Sequence, residues 1–173
     1  MEVAWATARM GERAGLEELV GMCLDRDRSV RAKQYLKELG KARLIPEAAS
    51  EPDFAAMAEM CDWLAHPNEY GEPPDTITLM DTRTIYWPPT QDTREVRLFS
   101  FVYGKSAPRE KRRVGVGMVG SMTWSFVDET KPTMKPEMIY GLHCCLELMS
   151  NNDRRAPKRR SGKAGWALVQ RGR

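Results

Sequence analysis

Three groups of residues have types that can do chemistry. The first is the glycine set in "RVGVGMVGSMTWSF", residues 113–126, where Gly115, Gly117 and Gly120 fall as GxGxxG. In dinucleotide-binding folds that spacing follows a strand, opens a helix and seats a pyrophosphate on the helix N-terminus. Here the next residues are "SMTWSFV", whose Thr, Trp, Phe and Val suit a strand and not a helix opening. Even positions (Val114, Val116, Met118, Met122, Trp124, Phe126) are apolar, while odd positions other than Val119 (Gly115, Gly117, Ser121, Thr123, Ser125) are small or hydroxylic. That alternation predicts one long strand with a core face and a flat face. The flat face can accept a planar ligand or a partner strand. Gly120 interrupts the core face, as a bulge or a close backbone approach requires.

The second group is His66 and His143 with Cys23, Cys61, Cys144 and Cys145. Structural zinc sites use CxxC or HxxxH spacings, because their ligands must converge from one turn or hairpin. Neither spacing occurs here, so no metal and no cofactor are expected. Adjacent helical residues point about 100° apart, so His143 does not activate Cys144; a Cys144–His66 pair across the fold stays open. Cys23, Cys61 and Cys145 fall on apolar helical stripes, where cysteine acts as a small hydrophobe. A reducing compartment fits that placement. The acid pairs Glu69/Asp75 and Asp81/Asp128 can in principle do acid–base work, but nothing in their spacing selects them.

The third group is the loop "WLAHPNEYGEPPD". Its Trp63, His66, Asn68, Glu69 and Tyr70, together with His143, are the candidate ligand or partner residues. Loops held between packed elements often carry function. The plainer reading is a long connector pinned by an aromatic.

These residues must be positioned by elements that periodicity locates. Residues 12–24 predict a helix with Leu16, Leu19, Val20, Cys23 and Leu24 on one face. Ser29 is placed as the cap of a second helix, whose stripe is Ala32, Tyr35, Leu36 and Leu39 and whose terminator is Gly40. The two are expected to pack antiparallel. A third helix starts near Pro52 and buries Phe54, Met57, Ala58, Cys61, Leu64 and Ala65. From Thr76 the period becomes two. "TITLMD" and "TIYW" read as two short strands, and "REVRLFSFVYG" as a third, apolar on both faces and therefore central. The glycine stretch is the fourth. "KPEMIYGLHCCLELMSN" reads as a helix with Met138, Ile139, Leu142, Cys145, Leu146 and Met149 facing the core.

Helices, then strands, then a helix predict an α+β fold with an antiparallel sheet. The expected organisation is a helical segment (1–45), an α+β domain (46–151) and a basic tail (152–173) read as disordered. Within the tail, "GWALVQ" is a short segment suited to docking.

The chain has 173 residues, 42% hydrophobic and 29% charged, enough for one ordinary domain or two small ones with a buried core. Residues 153–173 carry eight Lys/Arg against the single acid Asp153, and since the whole chain is +3 the body is net acidic. Arg154, Arg155, Lys158, Arg159 and Arg160 are the candidate phosphate contacts for nucleic acid. No apolar run is long enough to span a membrane, and the N-terminus lacks the basic start and apolar block of a secretory signal. The expected location is cytoplasmic, with no membrane partner.

"LVGMCLDRDRSVRAKQYLKELG", residues 19–40, resembles a HEAT repeat. An Asp after the first helix (Asp25 or Asp27), Val30–Arg31 opening the second, and Leu39–Gly40 closing it carry the resemblance. Only one copy occurs. Repeats bury their faces against neighbours, so either the α+β part caps it or the chain is a piece of a longer array. "WLAHPNEYGEPPDTI", "IYWPPT" and "VGVGMVGSMTWSF…IYGLHCC" extend the resemblance, over residues 19–149, to a group of uncharacterised bacterial proteins with a HEAT-type N-terminal part. The resemblance implies architecture and no activity. The expectation is therefore a non-enzymatic, HEAT-like protein-interaction module with a protein partner. The alternatives are a small-molecule binder or enzyme with a pocket near the HPNEYG loop and His143, and nucleic-acid association through the tail.

Overall fold

The computed structural model describes residues 1–108, 111–127 and 131–155, with side chains placed through Leu148 except at Lys131. Three short helices come first: α1 (Glu2–Arg9), α2 (Arg13–Met22) and α3 (Ser29–Glu38). Their shared core is Ala4, Ala8, Leu19, Met22, Cys23, Ala32, Tyr35 and Leu36. The α3 stripe is the expected one. Gly40 closes it at φ +68, with Gly40 N–H donating to the Lys37 carbonyl and Lys41 N–H to Leu36, the paired bonds of a left-handed helix terminator. Ser29 does not cap this helix. It is the first helical residue, fully buried, and its Oγ has no hydrogen-bond partner. The turn is instead held by Asp25, whose carboxylate accepts the Asp27 N–H. Leu24 lies beyond the end of α2 and is exposed.

The fourth helix, α4 (Pro52–Ala65), begins on its proline as expected. It joins the two halves of the fold. Phe54 packs on the helical core, while Ala56, Met60 and Leu64 pack on the sheet. Four strands follow: β1 (Thr76–Trp87), β2 (Asp92–Tyr103), β3 (Arg113–Val119) and β4 (Trp124–Val127). All neighbours are antiparallel, in the order β1-β2-β3-β4. A last helix, α5 (Pro136–Arg155), covers the opposite face. The fold is α+β. Among the described residues no helix is long and apolar enough to cross a membrane.

The strands were expected in a different partition. "TITLMD" and "TIYW" form one strand, β1, because Met80 is a bulge at which the pairing shifts from Leu79↔Phe99 to Asp81↔Leu98. One extra residue reverses which parity faces which side. Ile77 and Leu79 pack under α4, whereas Ile85 and Trp87 turn to the α5 side. Conversely, residues 113–126 are not one strand but the hairpin β3–β4. Gly120 turns it, at φ +119, and a side-chain carbon there would meet the Glu95 carbonyl and come within 3.1 Å of Val96 Cα. The parity survives the turn, since Val116 pairs with Phe126 and Met118 with Trp124. The flat face is not open: a Cβ on Gly117 would stand 2.5 Å from Met60 Sδ, so α4 presses directly on the glycine.

Strand β2 is central and covered on both sides, as its two apolar faces predict. Phe99, Phe101 and Tyr103 meet α4, and Val96 and Leu98 meet α5. Helix α5 is rotated from expectation. Among its described side chains Ile139, Tyr140 and His143 are buried, while Met138, Cys145 and Leu146 are exposed and Leu142 and Cys144 are half-buried; the side chain of Met149 lies outside the described residues. The cause is polar and aromatic. Tyr140 Oη donates to Asp81 at 3.1 Å, and His143 lies against Trp87 and Trp124. Those contacts outweigh the alternative of burying a thiol and two unbranched or leucine side chains.

Candidate functional site

The structure divides the candidate residues between the two faces of the sheet. Trp63, His66, Asn68 and Glu69 lie together at the C-terminal end of α4. Helix α4 stops because Pro67 cannot continue it and His66 is already extended (φ −63, ψ 138). The chain then winds into a compact turn. Glu69 N–H and Gly71 N–H both donate to the His66 carbonyl, and Tyr70 N–H donates to Leu64. His66 Nδ1 accepts the Asn68 N–H at 3.2 Å, which orients the ring against its own loop.

Strand β4 supplies the residue that ties these groups together. Trp63 Nε1–H donates to Ser125 Oγ at 3.1 Å, and Ser125 Oγ–H donates to Glu69 at 3.2 Å. The Tyr70 ring packs on Phe101 and Tyr103. Burial, with Glu69 nearby, raises the Tyr70 phenol above its ordinary value. The Arg113 guanidinium covers Tyr70 and Tyr103 at 5.5 and 4.9 Å. Beside Ser125, Thr123 donates to Glu59 at 2.5 Å. Neither Ser125 nor Thr123 stood among the sequence candidates. Their signal was the hydroxylic odd-numbered face of the glycine stretch, which points to this side.

The result is a surface recess of about 310 Å³ lined by Asp62, Trp63, His66, Asn68 and Glu69. A second recess, of about 450 Å³, adjoins it and is lined in part by Asp27, Arg31, Gln34 and Tyr35 from the helical layer. Asp62 and His66 belong to both. The helical segment is clipped to this region: Arg26 of the α2–α3 turn donates to the Pro74 and Asp75 carbonyls at 2.7 and 3.2 Å. Trp63 remains 36% exposed with its N–H engaged, so an indole face is held open at a fixed position.

His143 does not join this recess. It sits on the α5 face, fully buried, stacked on Trp87 at 4.9 Å and tilted against Trp124 at 5.2 Å. Its Nε2 lies 3.2 Å from Ser121 Oγ, and its Nδ1 has no hydrogen-bond partner. Burial pushes the imidazole down to about 4, so it is neutral at pH 7. A pocket shared by the HPNEYG loop and His143 is therefore ruled out by the intervening sheet. So is a Cys144–His66 pair. Cys61 packs beneath the α2–α3 turn, where burial raises its thiol to about 12 and keeps it protonated. Among the described residues no group of three or more His, Cys, Asp or Glu could hold a metal ion.

On the same face as His143, Asp81 accepts from Tyr140 and from Arg83 Nε at 2.7 Å, and Arg83 reaches Glu137 at 3.0 Å. These groups anchor α5 to the bulged strand. Arg154 and Arg155 lie in the last turn of α5 with side chains outside the described residues, and Lys158, Arg159 and Arg160 lie outside them altogether. Asp128, of the Asp81/Asp128 pair, also lies outside them. No protein-family model, curated protein or solved structure matches the chain.

Proposed function

We propose that the chain is a protein-interaction module whose docking surface is the paired recess at the end of α4. One observation carries this reading: Trp63 is fixed by its N–H to Ser125 while its ring stays exposed beside Asp62 and Glu69. A rigid aromatic on a polar rim is the side chain that most often anchors a protein interface, because it buries a large area with little ordering cost. The adjoining recess extends the surface onto the helical hairpin that carries the HEAT-like residues, which supports the same reading. His143, Cys23 and Cys61 lie in the core and take no part in this surface.

The test places a photo-crosslinking residue at Asn68 and irradiates the protein in a lysate of its native host. The expected result is one discrete protein adduct that Trp63→Ala abolishes. An adduct that survives Trp63→Ala, or none, overturns the proposal.

A further inference from the structure

Helix α5 leaves an apolar stripe uncovered. Met138, Leu142, Cys145 and Leu146 stand at i, i+4, i+7 and i+8, on the side of the helix opposite Tyr140 and adjoining the buried Ile139, with Leu142 half-buried. Met138 is 58% exposed, Leu146 is 43% exposed, and Cys145 is also exposed. The stripe carries no charged residue. From Met138 to Leu146, among the described side chains, it runs roughly 12 Å at 1.5 Å per residue. A stable interface between two molecules needs about 800 Å² from each partner. A stripe of this length and one helix face wide falls well short of that. A tethered segment has no such requirement, because a short linker holds it at an effective concentration in the millimolar range.

The chain itself supplies one. After α5 ends at Arg155, residues 156–164, "APKRRSGKA", contain nothing large and apolar, and the next residues are "GWALVQ". Trp166, Leu168 and Val169 are the only large apolar side chains beyond Leu148 and Met149. Pro157 opposes continuation of the helix, and Gly162 and Gly165 permit a reversal. Nine residues span up to about 30 Å. Leu146 lies roughly 14 Å back along α5 from Arg155, and Met138 roughly 26 Å. The segment therefore reaches the whole stripe.

We infer that residues 165–170 fold back on the outer face of α5 and cover Met138, Leu142, Cys145 and Leu146, with Trp166 as the anchor. The tail is then bipartite. A basic linker is held at the end of α5 by an apolar clasp. Docking in cis shields the Cys145 thiol, which gives a direct readout.

The experiment measures maleimide modification of Cys145 in a Cys144→Ser background. It compares the full-length chain, the chain ending at Ala164, and full-length Trp166→Ala. Cys23 and Cys61 lie in the core, so their lack of reaction certifies that each variant is folded. Modification is expected to be at least tenfold slower in the full-length chain than in either variant, by the same factor across a hundredfold dilution. Equal rates in all three overturn the inference. Protection that disappears on dilution and ignores Trp166→Ala also overturns it, and assigns the stripe to a second copy of the chain.

Discussion

His143 should make the fold acid-sensitive by a calculable amount. An imidazole titrates near 6.5 in an unfolded chain and near 4 between Trp87 and Trp124. Between those values the unfolded state binds a proton that the folded state refuses. Stability is thus complete above the upper value and falls as pH drops towards the lower one. Each unit is worth about 1.36 kcal/mol, so the whole window is worth about 3 kcal/mol, and at about pH 5 the loss is about 2 kcal/mol. Carboxyls held below their ordinary value, such as Asp92 beside Arg94, add their own acid sensitivity, and a reference variant removes it. His143→Phe keeps an aromatic ring between the two indoles and does not titrate. Loss of the Ser121 bond costs it about 1 kcal/mol, equally at every pH. Urea unfolding of both proteins at neutral pH and at about pH 5 gives the comparison. The wild type should lose about 2 kcal/mol more than His143→Phe on acidification. Parallel losses would refute the burial of a neutral imidazole.

Three further substitutions probe the sheet and the helix that covers it. Gly120→Ala forces a side chain into a left-handed turn against the Glu95 carbonyl, and should lower stability by about 1–3 kcal/mol in thermal or urea unfolding. Gly117→Ala should destabilise by driving a methyl into Met60. Met60→Ala alone should cost about 2–5 kcal/mol, and the double variant should lose less than the sum, which a double-mutant cycle measures.

Much of the frame was legible where one physical signal dominated. The α3 stripe, Gly40, Pro52 and the two apolar faces of β2 each state their role without tertiary information. Helix α1 was not identified, because it is only eight residues long and the residues it buries, Ala4 and Ala8, are small. The expected number of strands came from two opposite departures. The Met80 bulge hid the unity of β1, and Gly120 split what alternation alone joins, since parity is the same on both arms of the hairpin. The rotation of α5 is a tertiary effect. Tyr140 and His143 fall off the apolar stripe read from the sequence, and only the fold brings Asp81, Trp87 and Trp124 opposite them. The recess was legible in part, because Trp63, His66, Asn68 and Glu69 are close in sequence. Ser125, which fixes Trp63, comes from β4, and only the fold brings it there.

The most direct measurement of the proposed docking role is the yield of the crosslinked adduct from position 68, compared between wild type and Trp63→Ala at equal folded concentration. A single protein adduct in the wild type that falls to background in Trp63→Ala is the expected result. Equal yield from both would contradict it.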